Sequence, residues 1–213
     1  MSEPTLREKS YKLLRELIIC GGLKPDDIIT ERSLAEKFQM SRTPIRAAIE
    51  RLHSEGFINY APNKGISVAE ISIEKAVDFF EFRTIIESFV VKQLSERSLS
   101  ADERKALEDN LNLQREFVLT KNFIEFTKTD SEFHMMLVRF YGNSEITQTL
   151  ENLQDKLFQI ALRVLQKNPS RIESSYCDHA EIYNLIATNN CIKSEAQMKD
   201  HLQVGKLIFS SNT

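Results

Sequence analysis

Long apolar runs are missing from this 213-residue chain. No stretch approaches the roughly 20 residues of a membrane span, so no membrane partner is expected. Cysteine is scarce: Cys20, Cys177 and Cys191 are the only three, and they form no C-x-x-C. An odd number so spaced argues against a disulfide framework. The expected compartment is a reducing, cytoplasmic one. The opening MSEPTLREKS lacks the apolar core of a signal peptide. Glycine and proline become rare after Ser72, where only Gly142, Gly205 and Pro169 occur. Repeats and low-complexity tracts are missing too.

Cationic excess is another absence. Lys and Arg number 28 against 31 Asp and Glu, a net charge of −3, which is not the balance of a bulk nucleic-acid binder. The distribution is uneven: residues 1–72 hold 11 basic and 10 acidic side chains, and the remainder holds 17 and 21. Any DNA affinity must come from a few placed cations, doubled by dimerisation. At 41% hydrophobic and 28% charged, the composition is ordinary for a folded chain with room for one large domain or two small ones.

What is present is concentrated between Ile29 and Ile58, ITERSLAEKFQMSRTPIRAAIERLHSEGFI. It predicts two short helices joined by a tight turn, then the start of a strand. In the second helix Ile45, Ala48, Ile49 and Leu52 fall at i, i+3, i+4 and i+7 and make one apolar stripe. Thr43, Arg46, Ala47 and Glu50 lie opposite. Such a helix can enter a DNA major groove with its polar, cationic first turn against phosphates and base edges. Thr30 is the expected N-cap of the first helix, Glu31 to about Gln39, which buries Leu34, Ala35 and Phe38. Thr43 is the expected N-cap of the second, with Pro44 at its first helical position. Upstream, Leu6 to Cys20 forms an amphipathic helix with Leu6, Leu13, Leu14, Leu17 and Ile18 on one face, stopped by Gly21-Gly22. Downstream, residues 57–60 and 66–68 form two short strands around Ala61-Pro62-Asn63-Lys64-Gly65, a small wing.

Beyond Ser72 helical periodicity is almost unbroken. Six helices are expected, at 73–96, 101–119, 122–141, 144–167, 170–189 and 192–210, with a capping box from Ser100 to Glu103. The phenylalanines around Phe79 to Phe82 suit a core or a dimer interface better than a ligand pocket. The fold class is therefore mostly α: a winged helix-turn-helix over 1–72 and an all-α bundle over 73–213.

The bundle holds three of the four histidines. His134 has Asp130 one helical turn before it, and i,i+4 residues share a face, so this pair can grip one cation. His179 lies 45 residues beyond His134, and His201 22 further, on two other predicted helices. Helices converging on a bundle interior can build a metal site. Imidazoles with one carboxylate suit a borderline divalent metal such as Zn²⁺, Ni²⁺ or Mn²⁺. A hydrogen-bonded polar cluster is the competing arrangement, and there is no H-E-x-x-H to decide the matter.

These residues resemble a known family. Glu31-Arg32-Ser33-Leu34-Ala35, Ser41-Arg42-Thr43-Pro44-Ile45-Arg46, Leu52-His53-Ser54-Glu55-Gly56-Phe57-Ile58 and Asn63-Lys64-Gly65-Ile66-Ser67-Val68 are similar to the winged helix of GntR-type bacterial transcription regulators. Residues 80–87 (FEFRTIIE), Asp130-Ser131-Glu132-Phe133-His134, Tyr141-Gly142-Asn143, Asp178-His179-Ala180-Glu181-Ile182 and 196–202 (AQMKDHL) resemble the FCD effector domain of the FadR subgroup. One departure is Pro25-Asp26-Asp27, where the family usually has Pro-Gly-Asp.

The resemblance implies roles. Arg42 and Arg46 would contact base edges and backbone, where arginine pairs bidentately with guanine. Arg32 would join them, Thr43 would reach phosphate, and Lys64 with Gly65 would enter the minor groove. Asp130, His134, His179 and His201 would hold a divalent metal, zinc first, with nickel or manganese as alternatives. Arg83 would receive a small organic acid effector, its competing role being a salt bridge to Glu87. The implied protein is a metabolite-responsive regulator, most often a repressor in this subgroup, acting as a homodimer on a palindromic operator in double-stranded DNA. Rival readings are a metal-sensing regulator, a metal-dependent hydrolase and a DNA-binding protein with a merely structural metal.

Overall fold

The computed structural model describes residues 5–23, 27, 29–61 and 65–211. The chain divides into two compact units, Met1–Ile71 and Ser72–Thr213. Among the described residues no helix is long and apolar enough to cross a membrane.

In the first unit α1 (Leu6–Ile19) starts at a capping box. Thr5 Oγ1 accepts from the Glu8 N–H, and the Glu8 carboxylate accepts from the Thr5 N–H at 2.8 Å. Leu14, Ile18 and Ile19 are buried, but Leu6 and Leu13, expected on the apolar face, are exposed. Leu13 and Leu14 are neighbours, about 100° apart on a helix, and Leu13 falls at the edge of the stripe that buries Leu14 and Ile18. Gly21 takes φ +73 where the helix stops.

Thr30 caps α2 (Glu31–Phe38) as the sequence predicts. Leu34 is buried, and Ala35 and Phe38 are half-buried. Next, α3 (Arg42–Ser54) begins two residues earlier than expected: Ser41 holds the N-cap position, and Thr43 sits inside the first turn. The first four N–H groups of a helix have no internal partner, so Pro44 fits the third position as well as the first. The predicted stripe of Ile45, Ala48, Ile49 and Leu52 is fully buried. Ser10 Oγ ties α1 to the start of α3 by donating to the Pro44 carbonyl at 2.9 Å.

Strands β1 (Ile58–Ala61) and β2 (Gly65–Val68) pair antiparallel, Ile58 opposite Val68 and Tyr60 opposite Ile66. A bridge between Ile29 and Ile66 adds a third short segment that no local pattern in the sequence signals. Pro25 and Asp26 of the departing turn, and residues 62–64 of the wing, lie outside the described residues.

The second unit contains the six expected helices: α4 (Ile73–Ser95), α5 (Ala101–Thr120), α6 (Phe123–Tyr141), α7 (Ser144–Lys167), α8 (Arg171–Ala187) and α9 (Cys191–Ser210). Ser72 Oγ caps α4, and the predicted Ser100–Glu103 box caps α5. Gly142, at φ +83, closes α6 in a conformation that favours glycine. Helix α4 runs along α9, and α6 packs against both α5 and α7. Gly205 permits the α4–α9 approach, since a Cβ there would meet the Phe80 ring at 3.0 Å. The core includes Val91, Leu94, Leu107, Phe133, Ile182, Ile186, Met198 and Leu202, with Phe126, Leu165 and Ile172 as a satellite.

Candidate functional site

Two groups of side chains carry chemistry, one in each unit. On the first unit Arg42, Thr43 and Arg46 are exposed at the start of α3, where the helix dipole is positive. Ser41 forms no side-chain capping bond there. Arg46 grips the Glu31 carboxylate, Nη2 to Oε2 at 2.8 Å and Nε to Oε1 at 3.1 Å. The Tyr60 hydroxyl donates to the same carboxylate at 3.4 Å. Arg46 thus holds the Glu31 carboxyl below the usual carboxylate range. Glu31 links α2, α3 and β1, a role no local motif signals. An ion pair on an exposed arginine is weak, roughly 0–1 kcal/mol, so Arg46 can be redirected to another anion. Arg32 is exposed on α2 and donates to Glu36, one turn on, at 2.8 Å. Gly65 opens β2 at φ +88, a conformation that strains residues with a side chain. Lys64 lies outside the described residues.

In the second unit the predicted quartet converges. Asp130 and His134 on α6, His179 on α8 and His201 on α9 are all buried, and one potential ligand atom from each lies within 4.8 Å of the others. His179 Nε2 is 3.3 Å from His201 Nε2 and 3.5 Å from Asp130 Oδ1. Phe133 stacks on the His179 ring with centroids 4.5 Å apart. Burial pushes the His179 imidazolium far below its ordinary pKa and lowers His201 to about 4, so both rings are neutral at pH 7.

The partners around the quartet were not legible in the sequence. His179 Nδ1 is 2.8 Å from Gln114 Oε1 on α5. His201 Nδ1 is 3.2 Å from Asp178 Oδ2 and 2.9 Å from Arg171 Nη2. Arg171 Nη1 also donates to Asp178 at 2.8 Å, and Arg171 Nη2 to the His201 carbonyl at 3.1 Å. Ser175 Oγ donates to Asp130 at 3.4 Å. His134 differs from its neighbours. Its Nδ1 lies 2.5 Å from Glu87 Oε2, while its buried Nε2 has no hydrogen-bond partner.

Arg83 stands beside this cluster and makes the salt bridge that was its competing role. Its Nε donates to Glu87 Oε1 at 2.5 Å, and its Nη2 to Glu87 Oε2 at 3.3 Å. Burial raises the Glu87 carboxyl, but Arg83 and His134 outweigh it and hold the group far below the carboxylate range. Arg83 also lines a cavity of about 40 Å³ together with Thr127, Asp130, Arg171, Ser175 and His201. That is room for a few waters or one carboxylate group, since a water needs roughly 10–15 Å³ on this measure. Phe80, Ile160 and Val164 form the apolar wall, so Phe80 faces a cavity as well as the core, whereas the sequence suggests only a core or a dimer interface.

The donor set fits a small, borderline-soft divalent cation. Neutral imidazoles and one carboxylate are what such ions bind, and the buried Nε2 of His134 has no hydrogen-bond partner.

Known proteins place the chain. Residues 6–68 match the family described as "Bacterial regulatory proteins, gntR family", and residues 78–204 match "FCD domain". The HTH-type transcriptional repressor RspR of Escherichia coli K12 is 25% identical over 198 residues, covering 93% of this chain and 86% of that one. The gluconate operon transcriptional repressor of Bacillus subtilis is 25% identical over 173 residues, 80% of this chain and 70% of the other. A putative GntR regulator from Rhodococcus sp. RHA1 superposes with a TM-score of 0.81 at 17% identity, over 97% of this chain and 99% of that one, and shares its fold. The named relatives are transcription regulators rather than enzymes, which sets aside the rival hydrolase reading. The chain belongs to the GntR family of DNA-binding bacterial transcription regulators, in the group that carries an FCD domain.

Proposed function

We propose that this regulator reads a palindromic operator as a homodimer and that a buried divalent metal in residues 73–213, with a small organic acid beside it, sets its operator affinity. The observation that carries the proposal is the convergence of Asp130, His134, His179 and His201 with Nε2 of His134 left unpartnered. A buried imidazole nitrogen without a partner costs about 1–3 kcal/mol. A single proton between His179 and His201 would leave that cost in place, whereas a shared cation removes it. Zinc is the first choice, with nickel or manganese as alternatives.

Within residues 1–72, Arg42 and Thr43 in the first turn of α3 would meet phosphate and base edges, and Arg46, released from Glu31, would join them. Arg32, Lys64 and Gly65 would extend the contact to backbone and minor groove. In the bundle the metal, when bound, supplies Lewis-acid attraction for a carboxylate oxygen. Arg83 offers a fork of donors to the same anion, and Glu87 keeps that fork oriented by holding one side of it. Arg171 and Ser175 add donors around the cavity. Relatives named as repressors, one of a gluconate operon, support repression relieved by an acid.

The experiment is fluorescence anisotropy of promoter DNA from the protein's own gene neighbourhood, titrated with metal-loaded and metal-free protein. Each form is tested against a panel of two- to six-carbon carboxylates. A shift of fivefold or more with at least one acid, lost on metal removal, is expected. Such a coupling corresponds to about 1–3 kcal/mol. Operator affinity that follows metal alone would replace the acid with the metal as signal. Unchanged affinity throughout would overturn the regulatory part.

A further inference from the structure

Helix α5 contributes none of the four converging side chains, yet it touches one of them. We infer that Gln114, held by Asn110, is a positioning residue that fixes which nitrogen of His179 is offered to the metal. This rests on the metal reading above.

The inference starts from a carbonyl whose role is fixed. The Thr129 backbone oxygen, one residue before Asp130, can only accept a hydrogen bond. Asn110 Nδ2 donates to it at 3.0 Å. Turning the Asn110 amide over would set two oxygens against each other, so its Oδ1 must face the other way. There it accepts from Gln114 Nε2 at 2.7 Å. That bond in turn fixes the Gln114 amide, leaving Oε1 against His179 Nδ1 at 2.8 Å. An amide oxygen only accepts, so Nδ1 carries the ring proton. The Nε2 lone pair is then bare, and Nε2 is the atom nearest Asp130 and His201. Gln114 and His179 are fully buried and Asn110 nearly so, which keeps water from substituting for the Asn110–Gln114 and Gln114–His179 links.

The chain runs from α6 through two side chains of α5 to α8. It orients one ligand from the backbone of the helix that bears two others. Partners of this kind hold ring orientation and tautomer, and their loss typically lowers metal affinity 10–100-fold.

Two measurements test the proposal on the full chain. The first is ¹⁵N NMR of imidazole nitrogens in metal-free wild-type protein, with His179 assigned by comparison with His179→Gln. A protonated Nδ1 and a bare Nε2 at His179 are expected, and the opposite tautomer would overturn the inference whether or not any metal binds. The second is competition with a chromogenic chelator for Zn²⁺, with Co²⁺ absorption as a record of coordination. Gln114→Met, of similar length but with only a weakly accepting thioether, is expected to lose 10–100-fold in affinity and to shift the Co²⁺ bands. A folded Gln114→Met that binds within twofold of wild type would sink the proposal while leaving the metal site standing. A wild type that binds no metal would remove the metal reading instead.

Discussion

The buried pair of Arg83 and Glu87 offers a quantitative test, because each partner leaves the other exposed to the full cost of burial. Their side chains are 9% and 4% exposed. Arg83→Met leaves the Glu87 carboxylate with only the His134 ring beside it. Removing one member of a buried pair destabilises by about 3–5 kcal/mol. Glu87→Gln strands the guanidinium instead, with Asp130 as its remaining nearby carboxylate, so a somewhat smaller loss is expected. The double variant Arg83→Met/Glu87→Met replaces both charges with apolar bulk and is expected to stay within about 1 kcal/mol of wild type. The assay is urea unfolding of the metal-free full chain followed by circular dichroism, comparing midpoints at constant slope. Single losses below about 1 kcal/mol, or a double variant as unstable as the two losses added, would refute the buried-pair argument. The double variant also separates stability from signalling. It is expected to fold and bind operator yet lose its response to carboxylates, because the guanidinium fork is gone.

Three further outcomes follow from particular side chains. Arg46→Ala is expected to weaken operator binding by about 1–3 kcal/mol and to relax one base position, read by competition among operator variants. Unchanged discrimination would place Arg46 on the backbone or off the DNA. Phe133→Ala removes a fully buried ring stacked on His179, and an unfolding loss of about 3–5 kcal/mol with weaker zinc binding is expected. Zinc affinity equal to wild type would show that the stack does not hold the ring. The Glu103 carboxyl is held down at about 2, first by the Arg97 hydrogen bond. A depressed carboxyl stabilises the fold above its unfolded pKa, and that contribution is lost as pH falls through the folded value. Glu103→Gln should therefore lower stability by about 1–2 kcal/mol at pH 7 after solvent screening, and the difference should close between pH 4.5 and 2. A pH-independent difference would contradict this.

What could be read in advance was what local periodicity and caps encode. The stripe from Ile45 to Leu52, the Ser100–Glu103 box and the Asp130–His134 pair each depend on neighbours within two helical turns. Ser41-Arg42-Thr43-Pro44 contains two competent N-cap residues, and proline tolerates any place in the first turn, so the start of α3 could not be fixed from composition. Periodicity also overreached at Leu13, because a face about 100° away looks apolar when adjacent leucines occur together. The wider site was hidden for a different reason. Spacing did show that Glu87 could pair with Arg83 one turn away, but Gln114, Arg171 and Asp178 are ordinary helix residues whose partners in the quartet lie on another helix. Spacing shows that a face is shared but not which polar group will be buried there. That outcome depends on how α5, α8 and α9 dock, which only the folded chain determines.

The claim at the centre is that the buried quartet of Asp130, His134, His179 and His201 holds a cation. Elemental analysis of the protein purified without chelator and incubated with Zn²⁺, Ni²⁺ or Mn²⁺ measures this directly, with His179→Ala alongside. Close to one divalent ion per chain is expected in the wild type and far less in the variant. Equal, near-zero content in both would contradict the account.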